Sequence, residues 1–116
     1  MAPPSQLSIA TSVVNRLVKE EASYHKELEK QQASIAKLTQ GGGDENAEYT
    51  LKQERRGVEE TRAIFPQLKQ KMQDALAKLE QQLEQDKGPG DQSTPEDITR
   101  AKEAIAAALK AIRETS

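Results

Sequence analysis

No cysteine occurs anywhere in these 116 residues, and with it go disulfide frameworks, thiolate zinc sites and cysteine nucleophiles. A single histidine leaves no material for a Ser-His-Asp triad or a multi-histidine metal site. Aromatic residues make up 3% of the chain, two Tyr and one Phe with no Trp, which is too few for an aromatic-rich β core. An excess of either charge is missing too: 17 basic against 19 acidic residues give a net charge of −2. That balance supplies no positive excess for nucleic acid, and Arg55-Arg56 is too short a basic run without stacking aromatics. No apolar run approaches the roughly 20 residues that cross a bilayer. Met1-Ala2-Pro3-Pro4-Ser5 carries neither a basic nor an apolar leader region, so the expected address is the cytoplasm.

What remains is 34% hydrophobic and 31% charged, rich in Ala, Glu, Gln and Lys, the composition of long helices. The length suits one domain spanning 1–116. Gly41-Gly42-Gly43-Asp44 interrupts the helical pattern because three consecutive glycines each cost about 1 kcal/mol in a helix, and Gly88-Pro89-Gly90-Asp91 interrupts it more firmly. The intervening segments, about 8–40, 45–87 and 94–115, are read as three helices.

In the first, Val14, Leu17, Glu21, Tyr24, Leu28, Gln31, Ile35 and Leu38 alternate spacings of three and four, the seam of a packed helix. Val13, Val18, Ala22 and Ala36 widen the stripe toward a second neighbour. Glu21 and Gln31 interrupt the seam and are expected at its partly solvated edge. Ser5, Ser8, Thr11 and Ser12 all qualify as its cap. In the second segment Leu51, Val58, Phe65, Met72 and Leu79 recur every seven residues, with Leu68, Ala75, Leu76 and Leu83 beside them. Glu54 and Thr61 fill that second row poorly. The phase is kept across Pro66, which predicts one helix kinked at the proline rather than two helices. The third segment opens on Thr94-Pro95-Glu96-Asp97, an N-cap, a first-turn proline and two acids that suit the helix dipole. Ile98, Ala101, Ile105, Ala108 or Leu109, and Ile112 form its stripe. Short connections then give an all-α, up-down-up antiparallel three-helix bundle, long and slender.

Catalytic chemistry finds little support. Glu20-Glu21 and Glu59-Glu60 are paired carboxylates, but a narrow bundle offers no evident pocket to desolvate one partner. His25, beside the seam, is expected in solvent rather than as a ligand. Gly41-Gly42-Gly43 lacks the Lys and Ser/Thr of a phosphate loop. No enzyme activity, cofactor or metal is expected.

Thr11-Ser12-Val13-Val14-Asn15-Arg16-Leu17-Val18-Lys19-Glu20 resembles the opening helix of the tubulin-folding cofactor A family, also called tubulin-specific chaperone A. Tyr24, Glu27 and Gln31-Gln32 continue the likeness. Asn46-Ala47-Glu48-Tyr49-Thr50-Leu51-Lys52-Gln53 is similar to the family's entry into its second helix. Glu60-Thr61-Arg62-Ala63-Ile64-Phe65-Pro66 matches its mid-helix proline pattern. The resemblance spans about 8–86. The Gly88–Thr94 connection looks longer than the family's, and the Ala-rich third helix diverges.

The resemblance implies a three-helix bundle that captures folding intermediates or quasi-native β-tubulin. It would hand them on toward αβ-tubulin heterodimer assembly, alongside other tubulin-folding cofactors and without hydrolysing nucleotide. A mixed-charge rod presents surface rather than a pocket, so partner contact is expected on the outer faces of the first two helices, at Arg16, Lys19, Glu20, Arg55, Glu59 and Arg62. The architecture alone also suits a structural or adaptor bundle of spectrin-like or syntaxin-regulatory type, and, more distantly, a prefoldin-like subunit whose two helices project as a coiled coil. The motifs favour the cofactor family. Partners of nucleic-acid or membrane type are not expected.

Overall fold

The computed structural model describes residues 4–41, 45–86 and 93–115, so both glycine-containing connections inferred above lie almost wholly outside the described residues. Three helices carry the fold: α1 Gln6–Gln40, α2 Ala47–Gln85 and α3 Pro95–Glu114, with no strand among the described residues. The rod measures 69 × 28 × 17 Å. α2, at 39 residues, accounts for about 60 Å of that length, while the 20 residues of α3 span about 30 Å.

Local chemistry sets the ends. Of the four candidate caps, Ser5 closes α1 by accepting the Ser8 N–H at 3.0 Å, which starts the helix earlier than the periodicity alone indicates. Thr94 and Asp97 form a reciprocal capping box at the start of α3, with Pro95 in its first turn. Ser5 Oγ also donates to Asp97 Oδ2 at 3.2 Å, so the N-cap of α1 is joined to the capping box of α3. At the other end of α3, Thr115 meets Glu21 of α1. α1 and α3 therefore run parallel. α2 runs against both: His25 stacks on Phe65 and Gln31 lies over Gly57. The topology is up-down-up.

α2 continues unbroken through Pro66, as the kept heptad phase requires. Pro66 is exposed, so its ring costs the backbone bond that the Arg62 carbonyl would otherwise accept, without disturbing the buried side. At Gly57 an added Cβ would meet Gln31 Nε2 at 3.1 Å. The glycine, costly by propensity in a helix interior, makes room for the polar intruder Gln31 between the two long helices.

The core is graded along the rod. Its fully enclosed side chains are Leu7, Val14, Met72 and Leu79, with Leu17, Leu68, Leu76 and Ala75 close behind. All lie in the half of the molecule that α3 covers. Beyond Thr115 only α1 and α2 remain, and Leu28, Ile35, Leu38 and Leu51 are half-buried there, although Val58 and Thr61 of α2 stay buried. The seam read from the sequence is thus continuous in direction but not in depth. A helix pair encloses a side chain on fewer sides than a helix trio does.

α3 presents Ala101, Ala104, Ala108 and Ala111 to the centre, flanked by the partly buried Ile98, Ile105 and Ile112. Of the alternatives Ala108 and Leu109, alanine takes the core position and Leu109 stays 46% exposed. Val13 and Val18 do pack on the core, whereas Ala22 and Ala36 are exposed. Thr61, a poor filler by composition, is nonetheless buried. Glu48 and Lys52, Asp74 and Lys78, and Glu96 and Arg100 stand at i, i+4 yet form no ion pair among the described residues; Asp74 accepts from Gln70 Nε2 instead. Exposed pairs of that kind contribute little in any case.

Candidate functional site

The bundle changes character where α3 stops. There Glu21, a residue expected at a solvated edge, is 5% exposed and sits inside the seam. It is tolerated because Thr115 Oγ1 donates to Glu21 Oε2 at 2.6 Å and because His25 Nε2 lies 2.9 Å from Glu21 Oε1. The second contact is close but misaligned: Nε2 makes no hydrogen bond, so the attraction is that of a charge pair whenever the imidazole is protonated. His25 keeps 40% of its side chain exposed, as expected, but turns Nε2 inward. Its ring stacks on Phe65 with centroids 4.5 Å apart and planes inclined by 29°. The seam position of Glu21 was visible in the heptad, but its partner Thr115 is 94 residues away and no local pattern announces it.

A shallow depression of about 490 Å³ opens at this step, lined by His25, Leu28, Phe65 and Pro66, with Arg62 and Lys69 along one rim and Glu114 on α3. Among the described residues no group of three or more His, Asp or Glu is arranged to hold a metal ion.

The six residues expected at a partner surface are all exposed. They fall into two groups. Arg55, Glu59 and Arg62 are spaced i, i+4, i+7 on one face of α2, and only Arg62 reaches the depression. Arg16 and Glu20 are spaced i, i+4 on α1, with Lys19 beside them. The antiparallel pairings of Gln31 with Gly57 and of His25 with Phe65 set the α2 trio level with α1 residues near the hairpin end. The two groups are therefore separated along the rod by roughly 15–20 Å. None of the six forms an ion pair among the described residues.

No helix among the described residues is long and apolar enough to cross a membrane. Among the described residues the geometry consists of surfaces, a shallow step and a rod.

Comparison with known proteins places these features in one family. The family model described as tubulin binding cofactor A matches residues 2–105, which takes in the two long helices and about the first half of α3. Tubulin-specific chaperone A of Saccharomyces cerevisiae is 34% identical over 106 residues, covering 90% of this chain and 92% of that protein. Tubulin-folding cofactor A of Arabidopsis thaliana is 35% identical over 106 residues, covering 91% and 90% respectively. The crystal structure of tubulin folding cofactor A from Arabidopsis thaliana superposes with a TM-score of 0.75 at 34% identity, over 90% of this chain and 92% of that one. With a family model spanning nearly all of its length, two such relatives and a shared three-helix fold, the chain belongs to the tubulin binding cofactor A family.

Proposed function

We propose that the protein is a cytoplasmic tubulin chaperone that captures β-tubulin, as folding intermediates or in a quasi-native form. It then passes the subunit toward other tubulin-folding cofactors for assembly of the αβ heterodimer. Membership of the cofactor A family carries this reading. The architecture supports it: a 69 Å rod with its apolar residues largely consumed by the core offers a long polar surface to a large partner. The role is one of binding and release, with no nucleotide hydrolysis.

Contact is assigned to the outer faces of α1 and α2, at Arg16, Lys19, Glu20, Arg55, Glu59 and Arg62. Reversing Arg16 and Lys19, or Arg55 and Arg62, is expected to weaken capture of β-tubulin while helicity and melting temperature stay near wild type. Exposed charges contribute about 0–1 kcal/mol per pair to folding, whereas an interface is sensitive to their sign. The check is a titration of β-tubulin against each variant, with circular dichroism alongside. The difference between wild type and variants should shrink at high salt, where screening removes what the reversal alters. Reversed proteins that bind like wild type at low salt would rule out the polar faces.

A further inference from the structure

On the side of the rod away from α3, the α1–α2 seam is open, and the residues along it differ from the rest of the surface. Ile9 is 45% exposed, one of three large hydrophobic side chains so exposed among the described residues. It follows Ala10 and Val13 along a trough of about 450 Å³ between the two long helices, with Ala75 on the α2 side. A second, smaller depression of about 300 Å³ shares Ile9 and Val13 and ends at Arg16. Ile9, Val13, Arg16 and Glu20 follow one another at i, i+4, i+7 and i+11, one continuous stripe of α1. The charged residues that line the two depressions are Lys78 and Arg16, both cations, and the remaining polar lining is uncharged Gln and Ser with no carboxylate.

We infer that this trough is a helix-docking groove, and that its occupant is an amphipathic helical segment of the captured tubulin subunit, with an apolar ridge on Ile9 and Val13 and acidic side chains toward Arg16 and Lys78. The inference rests on the tubulin-capture reading above and adds the place and chemistry of the anchor. Length fits: from Gln6 to Arg16 the groove runs roughly 16 Å, about three helical turns. The molecule demonstrates the packing mode itself, since α3 fills the opposite side of the same α1–α2 pair with its own small-residue face. Charge selects the partner. A second copy docking groove to groove would bring like patches together, setting Arg16 and Lys78 against their own kind. An acidic-flanked helix satisfies both cations while its apolar face covers Ile9.

The experiment measures β-tubulin capture by the full chain as wild type, Ile9→Asn, Lys78→Gln, Lys78→Glu and Leu109→Asn, with melting temperatures for each. Leu109, 46% exposed on α3, is the matched control for loss of an equally exposed apolar side chain elsewhere. Ile9→Asn and Lys78→Glu are expected to weaken capture at least tenfold, Lys78→Gln less, and Leu109→Asn less than twofold, with all five melting alike. If wild type captures β-tubulin and Ile9→Asn and Lys78→Glu do so equally well, the groove is overturned while the chaperone reading stands. If wild type captures none, both fall. Sedimentation supplies the remaining arm: a wild-type dimer that Ile9→Asn converts to monomer would make a second copy the occupant and overturn the assignment.

Discussion

Leu79→Ala is expected to destabilise the protein by about 2–5 kcal/mol, and Leu28→Ala by only about 1 kcal/mol. The two leucines occupy equivalent seam positions in the heptads of α2 and α1, yet their surroundings differ. Leu79 is completely enclosed where all three helices meet, so truncation leaves a cavity that rigid neighbours cannot fill. Leu28 is half-buried near the end of α3, lining the open depression beside Phe65 and Pro66. Truncation there removes contact area but opens no closed void. Urea titrations of both variants give the comparison directly. Equal losses would show that α3 does not grade the core along the rod.

Thr115→Val is expected to cost about 1–3 kcal/mol, because it strips the buried Glu21 carboxylate of the donor at 2.6 Å. The hydroxyl has a single proton and also lies 2.7 Å from the Ala111 carbonyl, so it serves Glu21 and its own helix alternately. His25 cannot replace it, since its Nε2 is near Glu21 without being aligned to donate. Adding Glu21→Leu to Thr115→Val should recover much of the loss, because a fully apolar pair needs no partner. The double-mutant cycle by chemical denaturation reads the coupling, and hydrogen exchange in the last turn of α3 locates it. A Thr115→Val protein as stable as wild type would mean that Glu21 does not depend on this bond.

These two residues also mark where reading the sequence stops. Periodicity identified the inward face of every helix, and the phase carried correctly through Pro66, because both are properties of neighbouring residues. The caps of α3 were legible for the same reason. Depth was not, since a heptad states which side of a helix faces inward and not how many helices it faces. Leu7 lay outside the inferred first helix, because four hydroxyl residues competed as the cap and only the Ser5–Ser8 bond decides among them. Glu21 reads as an edge residue because Thr115, which holds it, is distant in sequence, and the stacking of the part-exposed His25 on Phe65 is hidden for the same reason. At the candidate surface, the six charged residues could be placed on outer faces from spacing. Their separation into two groups follows from the antiparallel register, and the trough at Ile9 follows from the side of the α1–α2 pair that α3 leaves uncovered.

The claim that this member of the cofactor A family captures β-tubulin as a binding protein, without chemistry of its own, is tested most directly by pull-down of β-tubulin from a cell extract with the wild-type chain, with nucleotide present and with nucleotide removed. The account predicts saturable recovery of β-tubulin in equal amounts under both conditions. Absence of β-tubulin from the bound fraction, or recovery only while nucleotide is being hydrolysed by the bait itself, would contradict it.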